Sequence, residues 1–293
     1  MNILTFDIEE WAWRKAGGYG TPEKYAEYDD YLYRILHLLD ERKIKATFFC
    51  TGMMATDFPQ VLKRIAEKGH EIGCHSYRHT WMNKMTEKEA KEDTHAAIDA
   101  LEQCLGQKVV SYRAPAFSVG ESNKWMFEIL ANEGITCDSS VYPSSRDLGG
   151  FPTFNSLTPC TIKYAGISLK EYPISLANIL GKQMAYSGGG YFRFFPFWLV
   201  KKIMAKSHYT MCYFHILDLV PEKGGVPSKE HYESYFKEPG TLKNRYMRYI
   251  KTNLGKKNAW DKLEKLIKTE NFINIEQSYS LINWDASPQI ELL

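Results

Sequence analysis

The residues best suited to chemistry stand at the ends of short apolar runs that the sequence pattern predicts as β-strands. The run that begins at Asn2 ends in acids, and two histidines close the run that begins at His70. Because the carboxyl ends of parallel strands meet on one face of an α/β fold, we expect these side chains to lie together. The residues concerned are Asp7, Glu9, Glu10, His75, His79, Arg113, Asp138 and His215.

A divalent metal ion suits His75 and His79 together with a carboxylate. Imidazole and carboxylate are ligands that Zn²⁺, Co²⁺, Mn²⁺ and Fe²⁺ accept. Two histidines four residues apart can bind one ion if their segment is a helical turn, and the alternative is a pair of unrelated loop histidines. Three protein ligands leave positions open for water and substrate, which hydrolysis at a metal requires.

The elements that must position these residues alternate between strand and helix patterns. Strands are predicted at 2–8, 46–51, 70–74, 109–112, 135–137, 168–174, 209–216 and 272–275. Helices are predicted at 29–42, from a cap at Asp57 to Gly69, after a Thr86–Glu89 capping box, and at 122–133, 196–206 and 258–269. This alternation predicts a parallel sheet with helices outside it, either a barrel or a doubly wound sheet.

Composition narrows the class of protein. The chain has 293 residues, 44% of them hydrophobic, with 37 basic and 35 acidic residues. Such a balance gives nucleic-acid binding no support, and no apolar run is long enough for a membrane span. The N-terminus has no basic region before an apolar run, so we expect no signal peptide and a cytoplasmic location. The six cysteines are expected to be free, buried thiols.

Four segments resemble, in order, those of the polysaccharide deacetylase family (NodB homology, carbohydrate esterases). They are Thr5–Glu9, Gly69–His75 with His79, Tyr112–Pro115 and Tyr213–His215. The resemblance is greatest to a branch with an Asp-x-Glu opening and a later Gly-Gly-Gly-Tyr-Phe-Arg run, here Gly188–Arg193. It implies an α/β fold, a distorted (β/α) barrel with about seven parallel strands.

The domain organisation follows from the same resemblance. One deacetylase barrel is expected over 1–293, with rim loops at about 143–195 and a helical C-terminal extension from about 225. The triple glycine that begins at Gly188 is interpreted as a turn or a close backbone approach at the site rim. The basic pairs near the C-terminus, such as Lys256 and Lys257, are interpreted as a solvated face.

The resemblance implies a catalytic role for several positions. Asp7 resembles the general base, Arg113 the arginine that pairs with it, and His215 the general acid. The backbone N–H of Ala116 takes the place of an oxyanion donor, and Asp138 matches the first acid of a further family element. Opposite protonation requirements at Asp7 and His215 predict a bell-shaped pH–rate profile.

The metal ligands are carried over in the same way. Glu9, His75 and His79 take the ligand positions for one divalent ion, with zinc preferred over cobalt, manganese, iron or nickel. Many family members open with adjacent acids, whereas here Ile8 separates Asp7 from Glu9. Alternation along a strand still places both acids on one face, and Glu10 remains an alternative ligand.

A second departure concerns the acid that tunes the catalytic histidine. The family element with two acids reads here from Asp138 to Tyr142, and Val141 stands where the second acid is expected. Either that acid is missing or Asp218 substitutes for it. Candidate sugar-contacting residues are Trp11, Trp13, Tyr142, Tyr191, Phe192 and Arg193, with core packing as the alternative for the aromatic ones.

The function implied is metal-dependent hydrolysis of an N-acetyl group from an amino sugar of a polysaccharide or its precursor. The expected partner is therefore an N-acetylated saccharide, and the sequence does not determine the oligomeric state. Two alternatives remain: an amide hydrolase of a small non-sugar substrate, and a catalytically weak carbohydrate-binding protein. Val141 favours the latter, whereas the acid–base pair of Asp7 and His215 argues against it, since binding alone needs neither.

Overall fold

A computed structural model describes residues 1–11, 22–146, 149–220, 225–236 and 238–293, so Trp13 lies outside the described residues. The strands within these ranges are β1 (Asn2–Ile8), β2 (Thr47–Cys50), β3 (Glu71–Cys74), β4 (Ser111–Tyr112), β5 (Cys137–Asp138), β6 (Cys160–Tyr164), β7 (Ile167–Glu171), β8 (Leu176–Ile179), β9 (Lys182–Ala185), β10 (Thr210–His215) and β11 (Gln289–Glu291).

Nine of these strands form one sheet in the order β10-β1-β2-β3-β4-β5-β7-β6-β11, and β8 and β9 form a separate hairpin. The seven strands from β10 to β7 in this order pair in parallel, and within the described part of this sheet only β6 with β7 is antiparallel. The α/β class and the parallel sheet are therefore confirmed. The described strands run as an open row, in keeping with a distorted rather than a closed barrel.

Helices cover the outside of the sheet. They are α1 (Pro22–Glu41), α2 (Gly52–Asp57), α3 (Pro59–Glu67), α4 (Glu87–Leu105), α5 (Trp125–Asn132), α6 (Gly189–Phe194), α7 (Phe197–Met204), α8 (Ile216–Leu219), α9 (Lys229–Phe236), α10 (Leu242–Asn253), α11 (Ala259–Thr269) and α12 (Ile275–Leu281). The capping box expected before α4 is present, since Thr86 and Glu89 satisfy each other's backbone N–H groups.

Side chains along β1 alternate between two faces, one in the hydrophobic core and one near the candidate active site. Leu4, Phe6 and Ile8 are fully buried in the larger hydrophobic cluster, under the helices. The intervening Thr5 and Asp7 are also buried, but they are polar and lie on the opposite side of the strand. Strand β1 therefore contributes apolar residues to the core from one face and the polar Thr5 and Asp7 from the other.

Two expected elements differ in the structure. Asp57 does not cap a helix but ends α2, because Pro59 occupies the first turn of α3 and makes Phe58 the capping residue. Residues 272–275 do not form a strand: Ile273 makes a single bridge to Ile3, and Asn274 then caps α12. The region 143–195 also holds more strand than expected, namely β6 and the β8–β9 hairpin.

All six cysteines are free; Cys104 is half-buried and the others are buried. Among the described residues, the helices are too short or too polar to pass through a bilayer.

Candidate active site

The carboxyl end of β1 lies between β10 and β2, and the strand register brings two expected site residues side by side. Asp7 pairs in register with His215 of β10. The nearest distance between their charged groups is 3.6 Å, from His215 Nε2 to Asp7 Oδ2. Two residues that are 208 positions apart in sequence therefore face each other at one sheet edge.

Arg113 fixes the Asp7 carboxylate from the other side. Its Nη1 donates to Asp7 Oδ1 at 2.7 Å and to Thr5 Oγ1 at 2.8 Å, and its Nη2 donates to Ser139 Oγ at 3.0 Å. The guanidinium is fully buried and lies 4.3 Å from the centre of the Phe49 ring. A buried arginine with its donors occupied leaves Asp7 one orientation, with Oδ2 directed toward His215.

Glu9, His75 and His79 converge on one point. Glu9 Oε2 lies 2.5 Å from His79 Nε2 and 3.4 Å from His75 Nε2. Candidate ligand atoms of these three residues lie within 4.8 Å of one another. Burial alone would raise the pKa of the Glu9 carboxyl, but the adjacent His79 and His75 rings outweigh it and hold that pKa well below its usual value.

The backbone presents the two histidines in a way that the sequence pattern did not indicate. Residues 75–79 form a bend after β3, not a helical turn. Ser76 and His79 both adopt positive φ, at 61° and 58°, which turns the chain back on itself. The backbone N–H of Tyr77 donates to Asp93 at 2.8 Å and anchors the bend to α4.

The donor set fits a divalent cation. Glu9 Oε2 is buried and makes no hydrogen bond of good geometry with a described residue, although two ring nitrogens lie close to it. His75 Nδ1 lies 2.7 Å from the Arg113 carbonyl, which can only accept a hydrogen bond, so Nδ1 carries the proton. The lone pair of Nε2 is then available to an ion. Two imidazole nitrogens and one carboxylate oxygen are a typical open divalent-metal site.

Asp218 supports His215. Asp218 Oδ2 accepts from the His215 backbone N–H at 3.1 Å and lies 3.0 Å from His215 Nδ1. Burial opposes charge on His215, but the hydrogen bond and charge of Asp218 outweigh it and raise the pKa of His215 to about 10. Burial likewise would raise the pKa of Asp218, and the pairing with His215 instead lowers it to about 2. His215 is therefore a cation at neutral pH, with its side chain 28% exposed.

Arg193 extends this chain of contacts. Its Nε lies 3.3 Å from Asp218 Oδ1, and its side chain is only 6% exposed. Its Nη1 and Nη2 donate to the carbonyls of Thr252 and Lys251 at the end of α10. Arg193, expected to contact substrate, instead holds the acid that holds His215, because burial keeps its guanidinium inside the protein.

Glu10 has a different partner from the metal triad. Its Oε1 accepts from the Leu217 backbone N–H at 2.8 Å. Burial and the nearby charge of Glu9 raise the pKa of Glu10 to about 7. Its role in the structure is to tie the end of β1 to α8 rather than to join Glu9, His75 and His79.

Asp138 lies beneath the site rather than beside His215. It pairs in register with Glu171 of β7, and both residues are fully buried. Burial raises the pKa of Asp138 to about 6, and burial together with the Asp138 charge raises the pKa of Glu171 well above its usual value. Asp138 Oδ1 accepts from Ser140 Oγ, and Glu171 Oε1 accepts from the backbone N–H of Val141.

This carboxyl pair supports the segment after β4. Ser140 Oγ donates to Asp138 Oδ1 at 2.5 Å and accepts from the Ala114 backbone N–H at 2.8 Å. Two residues later, Ala116 adopts a positive φ of 55° within a short 3-10 turn, Pro115–Phe117. Glu171 was missed at the sequence level, where the only signal was an acid inside the apolar strand predicted at 168–174.

The candidate sugar-contacting residues are mostly internal. Trp11 is 1% exposed and its ring lies 5.4 Å from that of Tyr28. Tyr142 is 2% exposed and its hydroxyl accepts from the Ala185 backbone N–H. Phe192 is buried as well, whereas Tyr191 is partly exposed and stacks on Phe195. Trp11, Tyr142 and Phe192 therefore pack in the core, and Tyr191 alone of the described aromatic candidates borders solvent.

Comparison with known proteins finds one family match in each half of the chain. Residues 3–137 match the family model "Polysaccharide deacetylase", and residues 139–280 match a "Domain of unknown function (DUF3473)". The first half of the chain is therefore similar to the polysaccharide deacetylase family. The first match covers Asp7, Glu9, His75, His79 and Arg113, and the second covers His215 and Asp218.

Curated relatives align with part of the chain. The chain is 34% identical over 105 residues to the uncharacterized protein YlxY of Bacillus subtilis, covering 36% of this chain and 32% of that one. It is 32% identical over 127 residues to a peptidoglycan-N-acetylglucosamine deacetylase of Bacillus cereus, covering 41% and 46%. The chain thus spans less than half the length of these relatives.

A solved structure extends the likeness to the whole chain. A Mycobacterium smegmatis protein described as a polysaccharide deacetylase aligns with a TM-score of 0.65 at 19% identity, over 100% of this chain and 93% of that one. At this identity the match shows a shared fold.

Proposed function

We propose that the protein is a metal-dependent deacetylase that hydrolyses the N-acetyl group of an amino sugar in a polysaccharide or its precursor, with zinc as the preferred ion. The observation that carries this proposal is the position of Asp7 and His215, 3.6 Å apart, beside the Glu9–His75–His79 triad. Binding a saccharide requires neither a carboxylate base nor a cationic imidazole. The Bacillus cereus relative, named a peptidoglycan-N-acetylglucosamine deacetylase, supports the substrate class.

Glu9, His75 and His79 would hold the ion. An ion there supplies Lewis-acid polarisation of an amide carbonyl and makes a water molecule more acidic. The Arg113 guanidinium holds Asp7 Oδ1, so that Asp7 Oδ2 is the oxygen that can take a proton from the attacking water. The fixed orientation limits the reorganisation that proton transfer would otherwise require.

His215 serves as the acid. Its Nε2 is the ring nitrogen on the Asp7 side, while Nδ1 lies against Asp218. An amide nitrogen must gain a proton before it can leave as an amine, and a protonated Nε2 can supply it. The second half of the chain thus contributes the group that completes the reaction begun by the first half.

The oxyanion donor stays a proposal at Ala116. The positive φ there places a turn directly after Arg113-Ala114-Pro115, within the segment that Ser140 anchors. A backbone N–H in such a turn can stabilise the charge that develops on the carbonyl oxygen during attack. The barrel with rim loops and a helical extension over 1–293 likewise remains our proposal for the domain organisation.

Acetate release tests the function. Purified protein is assayed with N-acetylglucosamine oligomers and with nucleotide-linked N-acetyl sugars, with and without Zn²⁺ or Co²⁺. Asp7→Asn should remove metal-dependent release, and Asp285→Asn, a change at an exposed acid, should not. Saccharide binding without release by the wild-type protein would favour the carbohydrate-binding alternative. Turnover restricted to small amides would favour the other hydrolase.

A further inference from the structure

Helix α10 exposes the side chains that an amphipathic helix normally buries. No residue of α10 is buried. Four large apolar side chains recur every four residues from the start of the helix to the residue after it, and a fifth lies beside them. Their exposed fractions are 68% for Leu242, 53% for Tyr246, 46% for Met247, 39% for Ile250 and 48% for Leu254. Spacing by four places them along one side of the helix, here called the α10 apolar face.

The side of α10 that contacts the protein is cationic. Arg245 Nη1 donates to the Pro227 carbonyl at 3.0 Å, and the Arg248 guanidinium lies 4.4 Å from the centre of the Phe236 ring in α9. The helix is therefore attached through its arginines, and no described residue covers its apolar face. A helix held this way is inverted relative to the usual surface helix of a globular protein.

The segment that carries this face is rich in basic residues. Residues 239–260 contain six basic residues and no acidic one, which leaves 31 basic and 35 acidic residues in the rest of the chain. The basic residues are Lys243, Arg245, Arg248, Lys251, Lys256 and Lys257. Lys256 is buried, so the expected solvated face holds only for its neighbour Lys257. The near-neutral net charge of the whole chain conceals a local concentration of cations.

We propose that the α10 apolar face is a membrane-contact surface for an anionic lipid bilayer. Exposed Leu, Tyr and Ile side chains can enter the boundary between headgroups and acyl chains, while the exposed Lys243 and Lys257 pair with anionic headgroups. A second copy of the chain fits less well, because a twofold contact would bring the exposed lysines of the two copies toward one another. Nucleic acid would use the cations but leave the apolar face unused.

A chain of side-chain contacts links α10 to the candidate active site. Arg193 donates to the carbonyls at the end of α10 and pairs with Asp218, which in turn holds His215. Phe194, the residue after Arg193, is 60% exposed. If the proposed function is granted, a bilayer on this face would favour an acetylated sugar carried on a lipid over a free polymer.

Vesicle flotation tests the membrane contact independently of catalysis. Protein is mixed with phosphatidylcholine vesicles that contain or lack phosphatidylglycerol, and the bound fraction is measured at low and high salt. Wild-type protein should bind the anionic vesicles, and salt should weaken binding. The triple variant Leu242→Ser, Tyr246→Ser, Ile250→Ser should lower the partition coefficient roughly tenfold or more.

A matched control removes equally exposed apolar side chains elsewhere. Tyr33, Leu180 and Leu281 are 61%, 99% and 69% exposed, and their replacement by Ser should leave vesicle binding unchanged. The variants Lys243→Gln and Lys257→Gln should each weaken binding to anionic vesicles by roughly fivefold and leave neutral vesicles unaffected. Circular dichroism confirms that every variant keeps its helix content.

Three results would overturn the proposal: no binding of wild-type protein to anionic vesicles, equal losses in the triple variant and its control, or a dimer in light scattering that the triple variant abolishes. The last result would assign the α10 apolar face to a second copy of the chain. Acetate release from a soluble oligomer by the triple variant should match wild type. A failure there would count against the proposed function instead, because none of the three residues contacts the site.

Discussion

Replacement of Asp218 by Asn should change the pH dependence of catalysis more than its maximum. The change keeps the shape of the side chain and an oxygen that can accept from the His215 backbone N–H, but it removes the charge 3.0 Å from His215 Nδ1. His215 would therefore keep its place at the end of β10 and lose the main source of its high pKa. A positional defect and an electrostatic one can then be told apart.

The magnitude follows from Coulomb's law. Two unit charges about 4 Å apart interact by about 4 kcal/mol at an effective dielectric constant of about 20, which corresponds to roughly three pKa units. The pKa of His215, raised to about 10 in the wild-type protein, should then fall to roughly 7. At pH 8 only about a tenth of the variant would carry the proton that the departing amine needs.

The assay is kcat for acetate release between pH 5.5 and 9.5 at saturating metal, for wild type, Asp218→Asn and the exposed-acid control Asp285→Asn. The variant should approach the wild-type rate near pH 6 and fall about tenfold below it at pH 8. A titration of the His215 imidazole by ¹⁵N NMR measures the same shift directly. An equal loss at every pH, or an unshifted imidazole, would refute the electrostatic role of Asp218.

Further predictions concern Arg193, the metal ligands, a buried histidine and a glycine. Arg193→Gln should move the upper limb of the kcat–pH profile to lower pH, and Arg193→Lys should move it less. A purely structural role would lower Tm in both variants without moving this limb. His79→Ala should reduce bound zinc by roughly a hundredfold in affinity, measured by calorimetry, and retained affinity would remove His79 from the ligand set. Burial lowers the pKa of His70 to about 4 from 6.5. The contribution of neutral His70 to the free energy of unfolding is therefore complete above pH 6.5, and about 3 kcal/mol of it is lost as the pH falls to 4. Urea unfolding should show that His70→Gln flattens this dependence, and a parallel curve would contradict it. A Cβ on Gly188 would lie 2.3 Å from the Tyr213 carbonyl oxygen, so Gly188→Ala should lower the free energy of unfolding by about 1–3 kcal/mol. Gly190→Ala, whose Cβ would have its nearest contact at 3.4 Å, should change the free energy of unfolding little.

The bell-shaped pH profile expected from sequence stays a prediction, and the structure changes the pH at which its upper limb is expected. The residue type alone gives His215 an ordinary imidazole pKa, which would place the upper limb of the pH–rate profile near neutrality. The Asp218 pairing moves that limb to about 10. Asp218 is one of the two alternatives that the sequence leaves for this acid, and the structure pairs it with His215 because a residue that follows a strand by one helical turn can bond back to the strand end.

Local patterns predicted the parts of the fold that depend on local physics. Alternation in Asn2–Ile8 and the Thr86–Glu89 capping box are both present in the structure. The edge strand β11 was not predicted, because three residues that pair with β6 across more than a hundred positions carry no periodic signal. The β8–β9 hairpin was missed for a related reason: its residues are mostly exposed or half-buried, so no hydrophobic alternation marks it.

The candidate site likewise combines residues that the sequence pattern predicts with contacts that only the packing of distant segments creates. Asp7, Glu9, His75 and His79 could be named because each ends or follows a strand, and parallel strand ends converge. The bend that presents His79 depends on positive φ at two non-glycine residues, which sequence pattern does not reveal. Arg193 was misplaced among substrate contacts because its ion pair with Asp218 joins residues whose proximity only the packing of α6 against α8 creates.

The two matched halves of the chain depend on each other, because the contacts that complete the candidate site cross their boundary. The first half holds Asp7 and the three candidate ligands, and the second holds His215 and Asp218. The β1–β10 pairing that sets the distance from Asp7 to His215 runs across this boundary, as does the bond from Leu217 to Glu10. A fragment ending at residue 137 would keep the metal triad and the base yet lose the acid and one strand bordering β1. Under the proposed function such a fragment would bind an ion without protonating the leaving amine, which would place the catalytic contribution of the second half in the segment from Arg193 to Asp218.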